Sequence, residues 1–131
     1  RSRSMTDIFK QTLATPQVAR WQHEGVECAI HYMPKYDVRN GYCFIPDGHP
    51  LEHSDVWDDP FTFDTLLDVH GGVTFGPEKT EGGHVVGFDT NHFRDYSAIS
   101  NPFGRRWYID DVVAETNRMA AQIARAGERA A

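Results

Sequence analysis

"LDVHGGVTFG", residues 67–76, is the stretch on which the fold turns. Leu67, Val69, Val73 and Phe75 share one parity, and Asp68, His70, Gly72 and Thr74 share the other. A period of two is the mark of a half-buried strand. "GGHVVGFDTNHFRDY", residues 82–96, follows with Val86 and Phe88 on one parity and Val85, Gly87 and Asp89 on the other. Gly76, Pro77, Gly82 and Gly83 lie between the two runs and supply turn chemistry. The pattern therefore predicts an antiparallel hairpin of strands 66–75 and 84–90 with a loop over 76–83. A core that holds Val69, Val73 and Phe75 with Val86 and Phe88 fixes the parity of pairing. It also collects Asp68, His70, Thr74 and Asp89 on the opposite face. One allowed register sets His70 across from Asp89 and Gly72 across from Gly87. Opposed residues have Cβ atoms roughly 4.5–5.5 Å apart, within reach of an imidazole–carboxylate hydrogen bond. Glycines beside such a pair let a ligand approach the backbone. The competing reading is an ordinary solvated sheet face, with a bulge at Gly71-Gly72 that shifts the parity.

Outward from that pair, "TDIFKQTLA" at 6–14 predicts a short helix capped by Thr6 or Asp7. Pro16 is placed to open a further helical turn through Trp21. "GVECAIHYM" at 25–33 alternates as a strand. Asn40-Gly41 is a turn signal, with 42–45 as the returning strand. Residues 46–64 read mostly as loop, and "NPFG" at 101–104 as a turn. The clearest element is the last: Ile109, Val112, Val113, Thr116, Met119, Ala120 and Ile123 keep helical spacing. Asp110 and Asp111 suit its N-terminus and Arg118, Arg125 and Arg129 its C-terminal half, with Gly127 as the expected stop. The expected architecture is α+β: an antiparallel sheet of about four strands with a long C-terminal helix packed on one face.

The length of 131 residues fits one compact domain, 5–131, with Arg1-Ser2-Arg3-Ser4 ahead of Met5 read as a cloning remnant. No stretch reaches the length of a membrane span and no signal-peptide pattern follows Met5. The two cysteines, Cys28 and Cys43, fall on neighbouring predicted strands and read as buried thiols. A soluble protein of a reducing cytoplasm is expected. The net charge of −6 is uneven: no Lys or Arg occurs between Arg39 and Lys79, a gap that holds Asp47, Glu52, Asp55, Asp58, Asp59, Asp64, Asp68 and Glu78. This segment repels phosphate backbones and weighs against nucleic acid as a partner. It suits a cation or a basic surface, or is simply a solvated acidic loop.

Asp89, His92 and Asp95 form D-x2-H-x2-D directly after the second predicted strand. With Asp68 and His70 they offer mixed imidazole and carboxylate groups of the kind that hold zinc, manganese or iron. The metal set expected on this reading is Asp68, His70, Asp89 and His92. The alternative has Asp89 and Asn91 capping the turn and His92 on the surface. "HPLEH" at 49–53 reads as a turn with unrelated histidines. Arg105-Arg106-Trp107-Tyr108 reads as an anchor ahead of the final helix, with anion gripping as the alternative. There is no G-x-G-x-x-G, Walker A loop or nucleophile elbow.

"NGYCFIPDGHPL" (40–51), "LDVHGGVTFG" (67–76), "VVGFDTNHFRDY" (85–96) and "YIDDVVAETNRMAAQI" (108–123) resemble, in that order, a family of small proteins of bacteriophages and prophages. The resemblance rests on Gly48-His49-Pro50-Leu51, Asp68-Val69-His70-Gly71-Gly72, and Gly87-Phe88-Asp89-x-x-His92 with Asp95. It departs at Asn91, where the family often has a small residue, and at Phe93-Arg94. It implies a phage-type accessory protein in the host cytoplasm, brings His49 in with the other candidates, and implies no catalytic chemistry. The leading expectation is therefore binding of a host protein or a small ligand, such as a signalling nucleotide, through His49, Asp68, His70, Asp89, His92 and Asp95. The second is a hydrolase dependent on a divalent metal, with Asp95 as outer ligand or base. The third is a structural or assembly factor using the terminal helix, whose exposed Glu115, Asn117 and Arg118 form no apolar seam.

Overall fold

Alternation is strongest between residues 26 and 46, and the sheet is built around that hairpin. The structure is a computed structural model and describes residues 7–54 and 66–129. Its elements are α1 (Ile8–Thr12), β1 (Gln17–His23), β2 (Val26–Met33), β3 (Val38–Pro46), a 3-10 turn (Pro50–His53), β4 (Phe75–Thr80), β5 (Gly83–Phe88) and α2 (Ile109–Arg129). The sheet has five antiparallel strands in the order β1-β2-β3-β5-β4. The α+β arrangement is as expected, with five strands rather than about four. Asp55, Asp58, Asp59 and Asp64 of the acidic segment, like residues 1–4, lie outside the described residues. No helix among the described residues is long and apolar enough to cross a membrane.

Each face of the sheet carries a core. Val26, Cys28 and Ile30 of β2, Cys43 and Ile45 of β3, and Val86 and Phe88 of β5 point to one side. There they meet Val112, Met119, Ala120, Ile123 and Ala126 of α2. Cys28 and Cys43 are register partners with sulfurs 3.9 Å apart, both buried. Burial pushes the Cys43 thiol up, so this pair packs as apolar groups. On the other side Ala29, Tyr42 and Val85 pack with Phe9 and Leu13 of the α1 segment. Asp7 caps α1 by accepting from the Phe9 and Lys10 amides.

Three local expectations are corrected. Residues after Pro16 form β1, an edge strand paired with β2, rather than a helical turn. The β2–β3 turn lies at 34–37, where Asp37 takes φ 56° and its carboxylate accepts from Tyr32 and Tyr96 hydroxyls at 2.7 and 3.0 Å. Those two bonds hold the Asp37 carboxyl below its ordinary range. Asn40-Gly41 is instead inside β3, opposite His31 and Ile30. Gly41 is there for close packing: a Cβ on it would lie 2.1 Å from Thr116 Oγ1 and 2.6 Å from the Phe88 ring. Gly127 is inside α2, not its stop, and a Cβ there would lie 3.2 Å from His49 Nε2.

The largest correction concerns 66–75. Only Phe75 is in a strand, and β4 pairs with β5 across a two-residue turn at Glu81-Gly82. Residues 66–74 run as irregular backbone between the sheet end and α2. Leu67, Val69 and Val73 still enter the α2-side core with Val86 and Phe88. Phe75 does not: it joins the opposite core with Tyr42 and Val85. The Thr74 amide at its end donates to the Gly87 carbonyl of β5 at 3.0 Å, whereas at Asp68 and His70 the backbone polar groups go to α2 side chains in place of a strand partner. Gln122 Oε1 accepts from the Asp68 amide at 2.7 Å and Gln122 Nε2 donates to the Asp68 carbonyl at 2.8 Å. Glu115 Oε2 accepts from the His70 amide at 2.7 Å. The register that set His70 across from Asp89 and Gly72 across from Gly87 is thereby removed; Phe75 is the partner of Gly87.

Candidate functional site

The site forms where two loops meet over the end of the sheet. The first is a tight turn in which the Gly72 amide donates to the Val69 carbonyl at 2.9 Å. Gly71 and Gly72 take φ 69° and 82°. Two consecutive left-handed residues are accessible to glycine with little strain, so Gly71-Gly72 makes a turn, not a bulge. His70 stands on this turn. The second loop leaves β5 through Asp89, whose amide donates to Thr74 Oγ1 at 3.1 Å and whose Oδ1 accepts from the Asn91 amide at 3.0 Å. Thr90 is buried, bonded to Asn40 Oδ1 and to the Arg39 carbonyl. That anchor delivers His92 above the glycine turn.

Asp95 is the hub. It is 3 % exposed, and a carboxylate so buried must be satisfied by donors. Its Oδ2 accepts from His70 Nε2 at 2.7 Å and from the His92 amide at 3.0 Å, and its Oδ1 accepts from Trp107 Nε1 at 3.1 Å. Because Nε2 of His70 donates, Nδ1 bears the lone pair when the ring is neutral. No protein group among the described residues bonds to Nδ1. The His70 ring lies 4.3 Å from the Trp107 ring and meets the His92 ring edge-on at 5.4 Å. Arg105 covers the Trp107 ring at 4.5 Å. His92 rests on Gly71, where a Cβ would come within 2.1 Å of Nε2. That nitrogen is 3.0 Å from Asp89 Oδ1, in a geometry too bent for a hydrogen bond.

Of the six sequence-derived candidates, His70, Asp89, His92 and Asp95 are gathered here. Asp68 is not: its side chain is 87 % exposed and pairs with Arg118 at 3.2 Å. His49 is not either. It caps the 3-10 turn and bonds through Nε2 to the Ile123 carbonyl at 3.0 Å, toward the far end of α2. The expected metal set of Asp68, His70, Asp89 and His92 is therefore split. Asp68 faces Arg118, His70 faces Asp95, and His92 faces Asp89.

Two partners were not legible as site residues. Trp107 is the expected anchor ahead of α2, packed against the core, and its Nε1 also holds Asp95. Glu115, expected on the exposed face of α2, accepts from the His70 amide at 2.7 Å and from Arg118 at 2.9 Å. Burial works against ionisation of Glu115, but the Arg118 guanidinium and the His70 N–H outweigh it and hold the carboxyl below its usual range. A helical i, i+3 Glu–Arg pair was the available signal.

Beyond His92 the loop closes on itself. Asp95 and Arg105 form a β-bridge, and Ser97 and Asn101 another. A cavity of about 340 Å³ opens between Asn91, His92, Phe93, Arg94, Ser100 and Asn101. Phe93, which lines it, stands 89 % exposed, and Phe103, further along the same loop, 97 %. Arg94 takes φ 81°, a left-handed conformation that strains a residue with a side chain. Comparison with protein-family models, curated proteins and solved structures finds no match to this chain.

Proposed function

We propose that this chain is a phage-type accessory protein that binds a host protein, with the loop over the His70–Asp95–His92 cluster as its contact surface. One observation carries the reading. Among the described residues six large hydrophobic side chains are exposed, and five of them, Phe93, Ile99, Phe103, Tyr108 and Ile109, fall within 93–109. Concentrated exposed apolar groups mark interaction surfaces, and aromatic and arginine residues are the ones that dominate binding energy. Arg94, Arg105 and Arg106 interleave with these aromatics, so the complementary partner surface presents apolar pockets rimmed by carboxylates. The Asp95 hub serves to hold the loop in one shape, which limits the ordering cost of binding. The host cytoplasm is the compartment in which such a partner would be met.

The test is capture from host lysate with the natural chain and with a Phe93→Ser/Phe103→Ser variant side by side. A protein that co-purifies with the former and is lost at least tenfold with the latter supports the reading. Equal capture by both, or none by either, removes it. A second reading, metal-dependent hydrolysis, draws on the carboxylate-held imidazole of His70, and Asp68 would have to leave Arg118 to join it. A metal content below about 0.1 per chain after mild purification removes that reading.

A further inference from the structure

We infer that a second cavity, at the opposite end of α2, is a binding site for an organic ammonium ion with an apolar body. The cavity measures about 590 Å³ and lies between the β1–β2 turn, β3 and the last turns of α2. That volume is in the range of small-molecule sites. Val26, Ile123 and Ala124 line it with apolar surface continuous with the α2-side core, and Glu24 and Glu128 line its rim at exposed positions; Glu27 and Phe44 also border it, from strand positions whose side chains belong to the other face of the sheet. Thirteen residues of helix separate Glu115 from Glu128, roughly 20 Å by helical rise, so this site is separate from the His70 cluster.

Among the described residues, the charged groups that line the cavity are all carboxylates. His49 contributes a ring but no cation: its Nδ1 accepts from the Leu51 amide at 3.1 Å, which leaves Nε2 as the donor to the Ile123 carbonyl at 3.0 Å. Among the described residues no Lys or Arg lines the cavity. Arg20 reaches Glu27 and His23 reaches Glu24 from β1. Glu128 has no cationic partner among the described residues. An anionic ligand is repelled by this rim and a neutral apolar one leaves its field unanswered, whereas an ammonium group answers it. The space is kept open by small residues. Gly127 is a poor helix former in the interior of α2, and Ala124 is its neighbour on the cavity side. A longer side chain at 124 or 127 would occupy the volume.

The probes are phenethylammonium and its neutral counterpart 2-phenylethanol, titrated into the full chain while the amide resonances of Gly25, Ala124 and Gly127 are followed. The ammonium is expected to give saturable shifts with an affinity at least about tenfold above the alcohol. A Glu24→Gln/Glu128→Gln variant, altered only at exposed positions, should reduce that preference to about twofold or less. Ala124→Phe should abolish the shifts by filling the cavity. Absence of saturable shifts up to about 10 mM, equal binding of amine and alcohol, or an undiminished preference in the double Gln variant would each overturn the inference.

Discussion

Gly41 and Gly71 mark two regions that solve the same problem in different ways. At each, a Cβ would fall 2.1 Å from a side chain, Thr116 at one and His92 at the other. Around Gly41 the backbone is ordinary strand, and the missing side chain lets α2 and Phe88 settle on the sheet. Around Gly71 the backbone is left-handed, and the missing side chain seats an imidazole. The first region is packing, in which a glycine serves a core. The second is a positioned polar cluster, in which two glycines and a buried carboxylate hold two histidines that remain about a quarter exposed, at 27 % and 28 %. The two regions thus differ in outcome: a sealed core at Gly41, and side chains at Gly71 that are firmly held yet partly exposed.

Substitutions should separate the two regions. Gly41→Ala overfills the α2-side core and is expected to reduce stability by about 3 kcal/mol in urea unfolding, with the loop around His70 unchanged by NMR. Gly71→Ala meets both the left-handed backbone and the His92 ring. It is expected to cost about 2 kcal/mol and to remove the His70–His92 ring contact seen as nuclear Overhauser effects. If Gly71→Ala leaves that contact intact, the positioned cluster is not what the glycine serves. Asp95→Asn keeps shape but cannot accept from all three donors. A loss of about 1–2 kcal/mol is expected, together with a change of His70 tautomer visible in its imidazole nitrogen shifts.

The smallest effect should come from Glu115. Its carboxyl is held below its usual range by Arg118 and the His70 amide against the opposing pull of burial. A carboxyl depressed in the folded state adds stability above its unfolded value of about 4.3, and that part is lost as pH falls through the folded value. Glu115→Gln should therefore show a shallower fall in urea midpoint between neutral pH and about pH 3 than the natural chain. Parallel curves would mean that the Glu115 contact does not titrate with folding.

The sheet and the long helix were legible because their apolar residues repeat with the period of the element. Val26, Cys28 and Ile30, or Val112, Met119 and Ile123, carry that signal unaided. Leu67, Val69 and Val73 carry it too, and they are buried as that spacing predicts, but in irregular backbone and not in a strand. Apolar spacing reports which residues face a core and is silent on whether the backbone between them bonds to a strand or to helix side chains such as Gln122 and Glu115. Asn40-Gly41 misled because turn chemistry and close packing both use glycine, and only the third dimension shows Thr116 above it. Four of the six candidate residues lie together because His70 belongs to one short turn, and Asp89, His92 and Asp95 to one short loop. The pairing within the cluster, Asp95 to His70 and Asp89 to His92, was not legible, because it depends on where the loop folds back. Trp107 and Glu115 join from twelve and forty-five positions away from Asp95 and His70 respectively, a separation at which no local pattern points to them.

The bonds from Gln122 and Glu115 to the Asp68 and His70 backbone have a consequence for motion. A turn of this kind ordinarily exchanges its amide hydrogens by local fraying, whatever the rest of the fold does. Here the amides of Asp68 and His70 are given to side chains rooted in the middle of α2, so they open only when the helix lifts or those side chains let go. The turn that carries His70 thus belongs to the same cooperative unit as the helix, and the candidate surface inherits its rigidity from an element forty-five residues further along the chain.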